Sequence, residues 1–386
     1  MGAIRAAGEG WGMPIYVDVS SAVHAKAGIG RYAASLARAL LACQPERFAL
    51  FYNRTRHSEL PAGFEGVPAR TVHAGYKPWR MAVWLGQLAH LGFNRLLPDA
   101  QLFHATEHLL PPLHAVPTVL TVHDMVFKLF REHQKPLNFW YLNATMPLFC
   151  RRADAIVTVS ECSKRDILAQ YGLEPRKVTV VYEAASPEFR PAPAGAVDEV
   201  RCRYGLPEHF LIHVGTIEPR KNLTRLIEAL QSLRDESTIV PLLLVGAKGW
   251  LYDDFFHRLD ELRIRDLVRF TGYVPAADLP TLYSAATAAV MPSVYEGCGL
   301  PVLEAMACGT PVVSSKASSL PEMGGEAAHY FDPYDIGEIA QVIHSVWSDA
   351  DLRAHMREDG LSQAARFSWQ RAAEETLAVY DTVLRR

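Results

Sequence analysis

The chain has 386 residues, 49% of them hydrophobic, and a formal net charge of -3, which is enough chain for two or three domains with substantial cores. That balance excludes nucleic acid as the main partner, and no stretch reaches the ~18 apolar residues of a membrane span. The six cysteines, at 43, 150, 162, 202, 298 and 308, form no C-x-x-C pair and no metal-ligand spacing, so reduced thiols in a cytosolic protein are expected. The opening MGAIRAAGEGWG lacks the apolar centre of a signal peptide. Export is therefore not expected, and the segment before Met13 reads as a leader or a start-site artefact.

Ile15 to Ser20 (IYVDVS) reads as a buried strand, followed by a loop holding Gly28, Gly30 and Arg31. Ile29, Tyr32, Ala33, Leu36 and Leu40 then recur at helical spacing, so the loop opens a helix. A strand, glycine loop and helix at the start of a domain is the usual phosphate position in a doubly wound fold. Glycines that merely fit a turn are the plainer account, and the full G-x-G-x-x-G is absent because position 33 is alanine. Further strands are predicted at 48–53, 69–73, 101–105, 118–123, 155–160 and 178–182, with helical patterns between several of them. Such alternation argues for a parallel sheet covered on both faces.

Between Trp79 and Leu97, one helix face collects Met81, Trp84, Leu85, Leu88 and Leu91, while Trp79, Val83 and Phe93 fall away from it. Packing against a neighbouring element and docking to a membrane surface or lipid-linked acceptor both account for it. Residues 187–197 (PEFRPAPAGAV) show neither helical nor strand period and read as a linker. A second alternating series follows, with strands at 210–216, 241–246, 268–274, 286–293 and 312–315, and helix from Phe331 to the end. The predicted organisation is an N-terminal Rossmann-like domain (13–186), the linker, a second such domain (198–365) and a last helix (366–386). Two such domains facing one another would place a ligand at the carboxyl ends of both sets of strands.

Three stretches carry candidate chemistry. His213-Val-Gly-Thr-Ile-Glu-Pro-Arg-Lys-Asn222 lies where a strand gives way to a helix; Gly215 permits close approach, and Arg220 with Lys221 puts two cations at the helix entrance. Cations prefer the other end of a helix, so an unpaired Arg-Lys here points to a bound anion such as phosphate. Thr121-Val-His-Asp124 ends a strand, where His123 is placed to bond a sugar hydroxyl, to act as acid or base, or to serve only the structure. Ser293 to Ser315 (SVYEGCGLPVLEAMACGTPVVSS) joins a strand end, a glycine loop, a helix from about Leu300 and a new strand. Pro301 suits the first helical turn, and the free N–H groups there make an anion site. Glu296 in the loop and Glu304 in the helix flank it with seven residues between them; Glu304 has the plain account of a dipole-favoured acid, whereas Glu296 is expected to have a specific bonding duty.

Together GTIEPRKNL, FTGYVP, PSVYEGCGLPVLEAMACGTPVV and FSWQRAAEETLAVY resemble glycosyltransferase family 4, retaining enzymes of the α/β GT-B fold. The resemblance covers the C-terminal half almost throughout and the N-terminal half through GIGR and TVHD. It implies that Arg220 and Lys221 neutralise the diphosphate of a nucleotide-sugar donor. Glu304 would accept from the ribose hydroxyls and Glu296 would face the donor sugar. Backbone N–H groups of Leu300 and Val302 would meet the phosphate, Tyr273 and Val274 would hold the base, and His123 would contact the sugar. Gly28 and Gly30 would close on the diphosphate, and Trp369 to Leu384 would return to the N-terminal domain.

Two departures stand out: Cys298 replaces a common aromatic, and VYEAAS replaces an Asn-Gly form, leaving Glu183 without a reading. No Asp-x-Asp is placed to hold a metal, so neither metal nor cofactor is expected beyond the donor as substrate. The resemblance favours mannose from GDP-mannose moved to a saccharide or polyprenyl-linked acceptor, in the cytoplasm or at the inner face of the membrane. A UDP-dependent glucosyl or N-acetylglucosaminyl transferase, a sugar-nucleotide epimerase and an inactive nucleotide-sugar-binding protein remain as alternatives. A dehydrogenase lacks its glycine fingerprint and its acidic residue about twenty positions on.

Overall fold

The computed structural model describes residues 13–24, 27–56, 58–133 and 135–386; the leader lies outside them. The chain forms two compact units, one made of the residues up to Glu183 together with Trp369–Arg386, the other of Ala184–Ser368.

The first unit is built on seven strands: β1 (Ile15–Asp18), β2 (Phe48–Asn53), β3 (Ala69–Val72), β4 (Leu102–Ala105), β5 (Thr118–Val122), β6 (Ala155–Thr158) and β7 (Val178–Val180). They lie in the order β3-β2-β1-β4-β5-β6-β7, every neighbouring pair parallel. The second unit has β8 (Leu211–Val214), β9 (Leu242–Val245), β10 (Val268–Gly272), β11 (Ala288–Met291), β12 (Val312–Ser315) and β13 (Ala328–Phe331), in the order β10-β9-β8-β11-β12-β13, again all parallel. Parallel strands buried on both faces are near-continuous apolar runs, and β2, β5, β9 and β11 are buried along their whole length. In each sheet the first strand is central, and the winding reverses beside it: β1 pairs with β2 and β4, and β8 with β9 and β11. The carboxyl ends at such a reversal leave a crevice where ligands bind in doubly wound sheets.

The structure departs from the sequence reading in four places. Gly28 and Gly30 lie inside the helix Ala27–Cys43 rather than in a loop before it. Helix Ala194–Tyr204 begins within the expected linker, after Pro193 and up to Gly205 in the left-handed region. Its only buried residue is Val200, so it carries no apolar stripe from which a helical period could be read. Strand β13 was not anticipated, because at this sheet edge His329 and Tyr330 are half-buried and break the apolar run. Finally, helix Tyr76–Leu88 faces the core with Trp79, Val83, Gly86 and Gln87, while Met81, Leu85 and Leu88 point outward. The face with more apolar residues is thus the outer one, because the indole of Trp79 fills the core against Phe51 and Phe93.

The last helix, Trp369–Leu384, packs on the helix Ala27–Cys43 of the first unit. Tyr380 donates or accepts at His104 Nδ1 across 2.6 Å, and Arg47 pairs with Asp381 at 2.8 Å.

A Cβ on Gly30 would sit 2.8 Å from the Ser21 carbonyl oxygen, whereas one on Gly28 would meet nothing within 4 Å. Gly30→Ala is therefore expected to destabilise the protein by about 1–3 kcal/mol, as overpacking does. Gly28→Ala should leave stability unchanged or slightly higher in the same chemical unfolding experiment, since it only removes freedom from the unfolded chain.

Candidate active site

At the carboxyl end of β8 the chain passes through Gly215 into a single 3-10 turn, Pro219–Lys221, and only then into the helix Leu223–Asp235. Asn222 joins the two at φ 55°, a left-handed conformation that asparagine tolerates better than most residues. Its side-chain amide donates to the carbonyls of Pro292 at 3.0 Å and Pro333 at 2.7 Å, which clamps the turn to the loop after β11. The main chain adds a bond from Val294 N–H to the Arg220 carbonyl.

This clamp brings Arg220, Lys221 and Glu296 together. Arg220 Nη1 donates to Glu296 Oε2 at 2.6 Å, and Lys221 Nζ to Glu296 Oε1 at 2.7 Å. The Ser293 hydroxyl donates to the same Oε1 at 2.6 Å. On its other side Arg220 donates through Nη2 and Nε to Glu218 Oε1, at 2.6 and 3.1 Å. The two cations are thus not unpaired, as the sequence reading held: two carboxylates of this chain already neutralise them. Ion pairing brings cations to this turn despite the helix dipole, and Glu296, 75 positions away from Lys221, is invisible to a local reading.

The cluster is largely withdrawn from water, with the Arg220, Lys221 and Glu296 side chains 17%, 11% and 13% exposed. Burial by itself raises the Glu296 carboxyl, but Arg220, Lys221 and the Ser293 hydroxyl outweigh it and hold the group well below the usual carboxylate range. His213, on β8, donates from Nδ1 to the Val290 carbonyl at 2.9 Å. Burial and the Lys221 charge push it down to about 4, so its ring is neutral near pH 7. Its Nε2 then carries a lone pair, with no hydrogen-bond partner among the described residues. A Cβ on Gly215 would lie 3.2 Å from that Nε2 and from Lys221 Cε, so the glycine is what lets the lysine pass.

The loop that carries Glu296 is pinned from below. Glu296 N–H donates to Ser318 Oγ at 2.8 Å, and the Ser319 hydroxyl bonds the carbonyls of Glu296 and Cys298, each at 2.9 Å. Gly299 stands at φ 91° and leads into the helix Leu300–Ala307, which begins where the sequence placed it. Cys298 is buried, with its sulfur 3.7 Å from that of Met323. The Val302 N–H donates to the Gly299 carbonyl at 2.9 Å, which closes the first turn of the helix. Leu300 opens the helix and is itself buried.

Glu304 belongs to another set of contacts. It is 1% exposed and faces the Tyr283 hydroxyl at 3.4 Å, and burial together with Glu304 pushes the Cys308 thiol up to about 12. Tyr273 and Val274 follow β10, where Gly246 N–H reaches the Gly272 carbonyl; Tyr273 is 76% exposed and Val274 half-buried. In the first unit, His123 directly follows β5 as a buried residue. Gly28 is exposed and Gly30 buried at the start of their helix. Glu218, Ser293, Ser318 and Ser319 were missed in the sequence. Glu218 and Ser293 had a local signal, standing two residues before Arg220 and three before Glu296 in the same motifs.

Residues 203–363 match the family profile described as Glycosyl transferases group 1, and residues 27–189 the one described as Glycosyltransferase Family 4. The O-antigen chain mannosyltransferase B of Escherichia coli is 32% identical over 370 residues, covering 92% of this chain and 95% of its own. Among solved structures, sucrose-phosphate synthase from Thermosynechococcus elongatus aligns with a TM-score of 0.77 at 20% identity, over 97% of this chain and 99% of the other. Anabaena HepE in complex with UDP and glucose aligns with a TM-score of 0.72 at 19% identity, over 96% and 99%. The structural likenesses establish the GT-B fold of two Rossmann-like units, and the sequence matches span both. With relatedness extending over nearly the whole of both chains, this protein belongs to the family 4 glycosyltransferases.

Proposed function

We propose that the protein is a retaining hexosyltransferase that moves mannose from GDP-mannose to a saccharide or polyprenyl-linked acceptor in the assembly of a surface glycan. The observation that carries this reading is the buried Arg220–Lys221–Glu296 cluster at the carboxyl ends of β8 and β11. Arg220 and Lys221 suit the diphosphate of the donor. Their charge, held in place before the reaction, stabilises the negative charge that grows on the departing diphosphate. Glu296, released from one cation when the diphosphate takes its place, turns to the sugar hydroxyls. Glu304 serves the ribose, Tyr273 and Val274 the base, and the backbone at Leu300 and Gly215 the phosphates. The same reading gives His123, Gly28 and Gly30 of the first unit a share in the donor. A front-face departure through a short-lived oxocarbenium-like ion fits a site where the leaving group itself takes the acceptor's proton. The mannose preference is supported by likeness to the O-antigen mannosyltransferase, and a UDP-sugar is the second reading, supported by the likeness to HepE bound to UDP and glucose.

The acceptor side includes a contact with an anionic membrane surface. Met81, Leu85, Leu88 and Leu91 are 43–58% exposed, and Leu137 and Trp140 on the neighbouring helix Pro136–Arg152 are 87% and 63% exposed. The two helices are tied by Arg80, which stacks 3.8 Å from the Tyr141 ring and bonds Asn138. Residues 76–97 hold three lysines or arginines and no carboxylate, and residues 126–152 hold five and one, in a chain whose net charge is -3. Exposed apolar side chains on segments with an excess of cations fit the boundary of an anionic bilayer. No helix among the described residues is long and apolar enough to cross a membrane.

GDP should raise the melting temperature and UDP should not; the reverse would replace the mannose reading with the UDP-sugar one. Lys221→Ala is expected to weaken GDP binding about tenfold or more by calorimetry, the loss of one charge-assisted contact, and unchanged affinity would contradict its role. Glu296→Ala should lower transfer far more than GDP affinity, and an equal fall in both would remove it from the sugar. The full chain should sediment with phosphatidylglycerol vesicles and not with phosphatidylcholine vesicles. Leu85→Glu with Leu88→Glu should abolish this without changing GDP binding, and vesicle binding that survives the pair would exclude this surface.

A further inference from the structure

Glu183 closes the first unit, three residues after β7, and its side chain is buried although no motif accounts for it. Its carboxylate oxygen Oε1 lies 3.7 Å from Nδ1 of His123, both side chains less than a tenth exposed. The other ring nitrogen, Nε2, is 2.9 Å from the carbonyl oxygen of Thr106, which can only accept. The imidazole therefore stands between two acceptors, a carbonyl and a carboxylate, an environment that suits the doubly protonated ring.

The ring's surroundings fix its orientation as well as its charge. The His123 N–H donates to Nε2 of His108 at 3.1 Å, and its carbonyl accepts from the Ser163 hydroxyl at 3.0 Å. The Tyr32 ring meets it edge to face, with centroids 4.6 Å apart. The Tyr32 hydroxyl shares the Thr121 hydroxyl, at 3.2 Å, with Nε2 of a second buried histidine, His104, at 2.8 Å. The groups that bear on the charge of His123 are thus Glu183, Asp124, His104, His108 and Tyr32. Asp124 accepts from the Val126 N–H at 3.0 Å.

We infer that Glu183 is a positioning residue that holds His123 as an imidazolium in a fixed orientation, so that the first unit offers the donor a cation rather than a neutral ring. The inference rests on the assignment of His123 to the donor. Burial alone would lower the histidine, but Glu183, the Thr106 carbonyl and Asp124 outweigh it and raise the group above its ordinary value. His104 goes the other way, down to about 3, through burial and the charge of His123, and stays neutral. Because the folded value of His123 is raised, the stabilisation is complete below about pH 6.5, the ordinary histidine value, and is lost as pH rises through the folded value.

Histidine ring resonances of the full chain, with His123 identified by the spectrum of His123→Asn, decide the matter. His123 should titrate above the ordinary value, and in Glu183→Gln its midpoint should fall by about one pH unit or more, with Glu183→Asp recovering most of the shift. A midpoint below 6.5 in the unaltered protein, or one unmoved by Glu183→Gln, would overturn the inference. In GDP release from GDP-mannose, the alkaline limb of kcat/KM should move to lower pH in Glu183→Gln by the same amount. Limbs that coincide would also overturn it, because a merely structural glutamate would change amplitude without moving the limb. If Glu183→Gln does not fold, Glu183→Asp carries the same comparison. Absence of GDP release at every pH, with the ring titration as expected, would instead count against the donor assignment.

Discussion

The carboxylate of Glu296 between Arg220 and Lys221 is the interaction on which the second unit's site depends. A buried ion pair is weak evidence for stability, because desolvation cancels much of the Coulomb attraction, but removing one partner leaves an uncompensated charge. Here the desolvation is shared among Glu218, Arg220, Lys221, Glu296 and Ser293, each bonded to at least one of the others. The cluster is electrically balanced as it stands. On the proposed reading, a diphosphate arriving there would compete with an internal carboxylate for cations already held in place. The same charges would then have two arrangements, one with the protein's own anion and one with the donor's.

Around that pair the fold supplies rigidity through side chains that bond the main chain of neighbouring loops. Asn222 ties the turn after β8 to the loop after β11, and Ser318 with Ser319 ties that loop to the segment after β12. Three connections from neighbouring strands of one sheet thus hold one carboxylate. A strand order that reverses between β8 and β11 is what leaves room above them. In the first unit the same winding places β5, and with it His123, two strands from the reversal beside β1.

The two units handle charge in opposite ways. The second holds a carboxylate deprotonated with two cations and keeps its histidine, His213, neutral beside Lys221. The first keeps His104 neutral through burial and sets His123 against Glu183. In both, burial first and a neighbouring charge second keep one imidazole neutral, His213 beside Lys221 and His104 beside His123. The exposed apolar face of helix Tyr76–Leu88 is separate from this chemistry and faces outward because the core is already filled by Trp79 and Val83.

Much of this was legible in the sequence, since parallel sheets write themselves as repeated apolar runs and helix starts as proline after glycine. The strands from β1 to β12 and the helix at Leu300 follow from local patterns alone. Family likeness, carried by GTIEPRKNL and the EGCGLPVLE loop, was likewise local. What the sequence alone could not determine were the partners: that Glu296 meets Lys221, that Glu183 meets His123, and which face of the Trp79 helix is buried. Those are contacts between residues tens of positions apart, or choices between two faces of one helix. They are decided only when the sheets bring distant strand ends side by side, because Coulomb attraction and packing depend on distance in space and not along the chain.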